Sequence, residues 1–376
     1  MQHADRLNAI DEYYFSKKLR EVSRMVSEGK PIINLGIGSP DRPPPKQVVD
    51  VLQMAAQVDN NHGYQSYIGI PELRNAISIF YKRWYHTDLD PENEILPTMG
   101  SKEAIMHISL AFLNKGDKVL IPELGYPTYT SVTRLTEAEP VFYSLDNNWE
   151  PDWERMEEID LRRVKLMWIN YPHMPSGSRG SLDLFKRAVE FGSKNKILVV
   201  NDNPYSFILN KNPESLLSLT HAKEYCLELN SLSKAFNMAG WRVGWVAGRK
   251  EYIQNIIKVK SNMDSGMFRP IQLAAAEALK MKTLWFDELN EVYRDRRVVA
   301  ERIFNKLNVS FNRESVGMFL WGKTENKTGE MLSDELLYNK SIFITPGLVF
   351  GEKGDQYIRL SLCQPAEKME EALNRL

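Results

Sequence analysis

Residues 165–201 read KLMWINYPHMPSGSRGSLDLFKRAVEFGSKNKILVVN, and the fold is decided there. The two ends, Lys165 to Asn170 and Ile197 to Asn201, are short apolar runs of the kind that form strands buried on both faces. Between them, Ser181 to Ser193 carries Leu182, Phe185, Ala188 and Val189 at helical spacing. Strand, helix and strand in that order predict parallel neighbours joined by a covering helix. Similar runs occur at Lys118 to Ile121 (KVLI), Cys226 to Asn230 (CLELN) and Arg242 to Ala247 (RVGWVA). The expected fold class is therefore α/β, a mostly parallel sheet sandwiched by helices.

The C-terminal part reads differently. One long helical stretch is expected from about Ile271 to Leu307. Short strands are expected around Met318 to Trp321, Ile342 to Thr345 and Tyr357 to Ser361, which suggests a smaller α+β domain. A Pro-rich stretch, Pro40 to Pro45, sets off an N-terminal arm. The expected division is an arm and part of the small domain in 1–44, a large domain in 45–280 and a small domain in 281–376.

Composition narrows the function. Of 376 residues, 43% are hydrophobic and 26% charged, which is ordinary for a globular chain with a core of its own. A net charge of -1 makes no electrostatic case for nucleic acid or a membrane surface. The two cysteines, Cys226 and Cys363, form no CxxC pair, so neither a disulfide framework nor a metal site is expected. The N-terminus lacks a signal-peptide pattern, and no apolar run reaches the roughly 18 residues that span a bilayer. A cytoplasmic location is expected.

Each predicted strand ends in polar or turn residues, and in open α/β sheets ligands bind beyond the carboxyl ends of strands. Four such features fit one cofactor. In SLSKAFNMAGWR, Lys234 follows a buried strand; neighbours that lower its pKa would make it an imine-forming amine, and Arg242 could hold an anion. Taken alone, Lys234 is better explained as a surface lysine in a loop, and only the other features reverse that. In VVNDNPYSF, Asp202 follows an apolar strand and needs a positive partner there, such as the protonated ring nitrogen of pyridoxal phosphate; Tyr205 could bond the ring's phenolic oxygen. The alternative is an ordinary turn aspartate. In TMGSKEAI, Gly100 and Ser101 precede a helical pattern whose free N–H groups suit a phosphate, and an N-cap reading is compatible with that. In YIRLSLCQP, Arg359 interrupts an apolar run and could grip a carboxylate, or could simply face outward from an alternating strand.

Together these segments resemble the class I/II aminotransferases of pyridoxal-phosphate fold type I, from INLGIGSPD near Ile32 to the Arg359 segment, with SLSKAFNMAGWRVGW the most specific part. The resemblance implies a ping-pong aminotransferase that uses pyridoxal 5'-phosphate. Lys234 is implied as the lysine that carries the cofactor and later shuttles a proton. Ser231, Arg242, Gly100 and Ser101 are implied as phosphate ligands, with Lys102 beside them. Asp202 is implied as the partner of the ring nitrogen, Tyr205 of O3', and Tyr126 as the residue stacked on the ring. Arg359 is implied as the clamp for the substrate's α-carboxylate and Gly38 as part of the substrate wall. Tyr67 resembles the tyrosine that reaches the phosphate of a neighbouring subunit, which implies a homodimer with active sites at the interface. Amino acids and 2-oxo acids are the implied partners.

One departure stands out. The family commonly reads N-x-P-N-N-P-T-G where this chain has Asn170-Tyr171-Pro172-His173-Met174-Pro175-Ser176-Gly177. Methionine cannot donate the bond to O3' that the family asparagine gives. Tyr205 is left to carry that bond alone, or His173 rearranges to share it. Lys102 suggests an acidic amino donor, because a lysine at this motif position meets the distal carboxylate in some aspartate-handling members; a solvated lysine of the first helical turn is the competing reading. A carbon–sulfur lyase of the same fold is the alternative activity. A non-catalytic ligand sensor is a distant one, since no basic helix-turn-helix pattern precedes the sheet.

Overall fold

The computed structural model describes residues 2–10, 12 and 14–376. Its main sheet has seven strands: β1 (Ile95–Thr98), β2 (Lys118–Pro122), β3 (Glu139–Tyr143), β4 (Val164–Ile169), β5 (Leu198–Asp202), β6 (Cys226–Ser231) and β7 (Gly244–Gly248). They lie in the order β1-β7-β6-β5-β4-β2-β3, and β7 runs opposite to the other six. Alternation along β4 explains the unbroken apolar runs. Met167 and Ile169 enter one core cluster, whereas Leu166 and Trp168 enter the cluster on the opposite face.

The crossover after β4 is the helix Leu182–Asn195. Ser181 caps it by accepting from the Leu184 N–H at 3.0 Å, and Lys196 closes it in a left-handed conformation (φ 58°). Its buried face is Leu184, Phe185 and Ala188, with Leu182 exposed. The long C-terminal helical stretch is two helices, Arg269–Ala278 and Thr283–Lys306, separated by residues 279–282.

A second sheet contains β8 (Ser310–Phe311), β9 (Phe319–Lys323), β10 (Thr345–Pro346) and β11 (Tyr357–Ser361), in the antiparallel order β10-β11-β9-β8. The run expected from Ile342 to Thr345 is divided between two partners. Ile342–Phe343 pairs in parallel with Ile33–Asn34, while Thr345 pairs with Arg359. That pairing binds the N-terminal segment to the C-terminal part. Asp41 reinforces it by receiving both terminal nitrogens of the buried Arg296, at 2.7 and 2.8 Å. Among the described residues, no helix is long and apolar enough to cross a membrane.

Candidate active site

A cavity of about 410 Å³ opens at the carboxyl ends of β5 and β6 and is closed from the other side by β11 and the helix Tyr14–Ser27. It gathers residues remote in sequence: Gly38, Ser101, Lys102, Tyr126, Asp202, Tyr205, Ser231, Lys234, Arg242 and Arg359 all line it. Because β7 is reversed, the turn that precedes it brings Arg242 to the same edge.

Asp202 ends β5 and is buried. Its Oδ2 accepts from the Tyr129 hydroxyl at 2.9 Å, while Oδ1 has no hydrogen-bond partner. Tyr129 is held by stacking on Trp168, with ring centroids 5.1 Å apart. Burial pushes the Asp202 carboxyl up to about 6, against the opposing pull of Tyr129 and Lys234. An orphaned buried carboxylate oxygen calls for a cation or a donor from outside the protein.

Lys234 follows β6 and donates to the Gly38 carbonyl at 2.6 Å, with its Nζ 5.9 Å from the centroid of the Tyr205 ring. Burial, aided by the charges of Arg359 and Arg242, lowers its amine to about 8. A substantial neutral fraction at neutral to mildly alkaline pH makes this amine a nucleophile.

The anion cradle is built from main chain and two strand ends. Gly100 sits at φ 84° before the helix Ser101–Phe112, whose first N–H groups are open at its N-terminus. A Cβ at Gly100 would meet Arg242 Nη2 at 2.1 Å, so the guanidinium lies directly over the turn. Arg242 is itself in the left-handed region (φ 57°), not in a strand as expected, and donates to the Ala239 carbonyl at 2.9 Å. The Ser231 and Ser233 hydroxyls are 2.7 Å apart beside it.

Arg359 is buried in the centre of the second sheet and does not face outward. Its guanidinium stacks on Phe319 (3.9 Å to the centroid) and Phe350 (4.6 Å), and Nη2 donates to the Gly36 carbonyl at 2.8 Å. Gly38 has no room for a side chain, since a Cβ would lie 2.2 Å from Phe319. Nη1 of Arg359 is 3.4 Å from the Met174 sulfur, so Met174 does enter the cavity wall. His173 does not. Its Nδ1 is 2.7 Å from Ser176 Oγ and its Nε2 3.1 Å from the Leu124 carbonyl, away from the cavity, and burial pushes it down to about 4.

Two expected residues do not line the cavity: Gly100, which lies beneath Arg242, and Tyr67, whose side chain is 43% exposed. Sequence reasoning missed Ser233, Asn170, Tyr129 and the aromatic wall of Phe15, Phe319 and Phe350. Ser233 was open to inference from its place between Ser231 and Lys234. Nothing in the spacing places Tyr129 beside Asp202.

This donor set fits pyridoxal phosphate: an orphaned carboxylate oxygen, a desolvated lysine, and a glycine turn covered by a guanidinium. Fold and site together define a pyridoxal-phosphate enzyme of fold type I. The class I and II aminotransferase family matches residues 30–376. The LL-diaminopimelate aminotransferase of Aquifex aeolicus is 36% identical over 380 residues, covering 100% of this chain and 98% of that protein. The protein of the same name from Halothermothrix orenii is 35% identical over 381 residues, covering 100% and 98%. The apo structure of BacF from Bacillus subtilis superposes with a TM-score of 0.95 at 31% identity, covering 100% of this chain and 98% of that one. The chain belongs to the class I and II aminotransferases, and it is a pyridoxal-phosphate-dependent enzyme acting on an amino acid and a 2-oxo acid.

Proposed function

We propose that this aminotransferase takes a dicarboxylic amino donor whose distal carboxylate meets Lys102. The observation that carries this is that Lys102, Arg242 and Arg359 line one cavity together. Arg242 suits the cofactor phosphate, and Arg359 suits the α-carboxylate. Lys102 adds a further cation, with its amine pushed down by burial and by the nearby charge of Arg242. The diaminopimelate aminotransferases that the chain resembles act, by their name, on an amino acid of this kind.

In this reading the phosphate is held by Gly100, Ser101, Ser231 and Arg242, the ring nitrogen by Asp202 and the phenolic oxygen by Tyr205, with Tyr126 against the ring. Bound pyridoxal phosphate supplies the electron sink for the pair left when the Cα proton departs. Lys234 Nζ would hold the cofactor, and as a free amine it would move the donor's Cα proton. Arg359 fixes the α-carboxylate so that this proton points at Lys234. Phe15, Phe319 and Phe350 keep water from that end of the cavity. Gly38 leaves space for the donor.

We further infer a homodimer in which Tyr67 reaches the partner's phosphate, a cofactor-holding domain in 45–280, and a domain of 281–376 with part of 1–44 that carries Arg359. Two buried free thiols, Cys226 and Cys363, support a reducing, cytoplasmic setting.

The test is a panel of amino donors scored by the change of cofactor absorbance in the first half-reaction. LL-diaminopimelate, glutamate and aspartate are expected to outrun leucine and phenylalanine. Lys102→Ala is expected to slow only the dicarboxylic donors. A preference for phenylalanine would assign the aromatic wall, not Lys102, as the specificity element. Pyruvate and ammonia formed without a 2-oxo acid acceptor would point to carbon–sulfur elimination.

A further inference from the structure

Glu228 lies in the middle of β6, fully buried, and no step of the catalytic reading uses it. An acid inside a strand covered on both faces is costly unless donors surround it. Oε1 accepts from the Ser215 hydroxyl at 2.8 Å and from the Tyr81 hydroxyl at 3.0 Å. Oε2 accepts from the Leu216 N–H at 2.9 Å and from Asn201 Nδ2 at 3.2 Å. Burial pushes the carboxyl up, against the pull of these same donors.

The bond to Asn201 leads to the cavity. Asn201 pairs with Glu228 across β5 and β6 and directly precedes Asp202. Its Oδ1 accepts the Tyr171 N–H at 3.0 Å. From the neighbouring strand end, Asn170 Nδ2 donates to the Asp202 carbonyl, and Asn170 Oδ1 accepts the Met174 N–H at 3.0 Å. Two asparagines thus clasp the ends of β4 and β5, each bonding the main chain at the end of the other strand. Asn170, Met174 and Asp202 all line the cavity.

Glu228 decides which way the Asn201 amide points. A backbone N–H can only donate, so the Leu216 N–H makes Oε2 an acceptor whether or not the carboxyl carries a proton. Asn201 must therefore present its NH2 to Oε2 and its oxygen to Tyr171. Without Glu228 as acceptor, the buried Asn201 NH2 would be stranded. Turning the amide over would then set that NH2 against the Tyr171 N–H.

We propose that Glu228 is a positioning residue for the ring-nitrogen partner: through the sense of the Asn201 amide it fixes the clasp that holds the Asp202 main chain. The inference rests on the reading of Asp202 as the partner of the ring nitrogen. Glu228 does not line the cavity, so its effect should appear as selectivity for that nitrogen.

The experiment titrates apoenzyme with pyridoxal phosphate and with its deaza analogue, in which a carbon replaces the ring nitrogen. Wild type, Glu228→Gln, Glu228→Leu, Asn201→Ala and the double variant Glu228→Leu with Asn201→Ala are compared. Glu228→Leu and Asn201→Ala are each expected to lose roughly tenfold in the ratio of the two affinities, the worth of one charge-assisted hydrogen bond. Glu228→Gln should keep the ratio within about twofold, because its carbonyl can face Leu216 and Asn201 while its NH2 meets two hydroxyls able to accept. The double variant should lose little more than either single one, because Glu228 acts through Asn201. Equal losses for both ligands, or losses that multiply in the double variant, would overturn the proposal. So would a Glu228→Gln as damaged as Glu228→Leu, which would assign the effect to charge. If Glu228→Leu does not fold, Asn201→Ala against Glu228→Gln decides: the loss is expected in the first alone, and an unchanged ratio in Asn201→Ala overturns the proposal. A wild-type enzyme that binds both ligands equally would instead overturn the ring-nitrogen role of Asp202, and the two failures are separable.

Discussion

Asp202 shows how one residue can be costly to the fold and useful to the site. Its carboxyl sits at about 6, above the ordinary aspartate value of 3.8, because it is buried with one oxygen unpartnered. The folded protein thus holds this proton more tightly than the unfolded chain does. Ionising the group costs stability, with no cost below about pH 4 and the full cost above about pH 6. The difference corresponds to about 3 kcal/mol as an upper figure. Asp202→Asn keeps an acceptor for Tyr129 and removes the charge. The cofactor-free variant is expected to melt higher than wild type at pH 7.5 and equally near pH 4. A pH-independent gain in the melting profile would show that the strain is not ionisation.

Met174 is the second residue whose chemistry can be isolated. It lines the cavity beside Arg359, and a thioether offers no donor. His173, the other candidate donor, is anchored to Ser176 and Leu124. Losing a donor to the phenolic oxygen favours the protonated cofactor linkage. Met174→Asn should therefore move the pH midpoint of the holoenzyme's visible absorbance to lower pH, while identical midpoints would remove the idea. The departure was legible in the sequence, but its company was not. No periodicity could bring Arg359 within 3.4 Å of a residue 185 positions away.

At the scale of elements, legibility followed unbroken apolar sequence. The five central runs were readable because both faces of each strand are covered, which demands continuous apolar sequence. The two edge strands were not. Pro97 interrupts β1, as edge strands allow, and β3 is half exposed and opens on Glu139 and Pro140. The break at residues 279–282 was also invisible, since no glycine or proline marks it. Gly100 is where an element boundary becomes function. Its φ of 84° is a glycine conformation, and Arg242 occupies the space a side chain would need. Gly100→Ala should cost roughly 1–3 kcal/mol in urea denaturation of the apoenzyme. It should also weaken pyridoxal phosphate far more than pyridoxal. Unchanged phosphate preference would mean that the turn does not bind the phosphate.

At the scale of the whole molecule, Tyr67 is a residue that the chain's own cavity does not explain. Tyr67 stands 43% exposed, yet its main chain is held by the buried Lys260 and its segment is packed against Gly266. Ordering a segment in order to expose a large side chain costs entropy without return in a single chain. A symmetric partner supplies the return, because a two-fold axis that brings Tyr67 to the neighbouring cavity brings the neighbour's tyrosine to this one. Complementation tests this directly. Lys234→Ala leaves Tyr67 intact but removes the amine, and Tyr67→Ala leaves the amine intact but removes the phosphate contact. A hybrid of the two has one site damaged twice and one site fully intact. Random mixing of equal amounts makes half the dimers hybrid, each with one good site of two. Activity should therefore recover to roughly a quarter of wild type, well above either variant alone. If each tyrosine served only its own subunit, no hybrid would hold an intact site, and mixing would restore nothing.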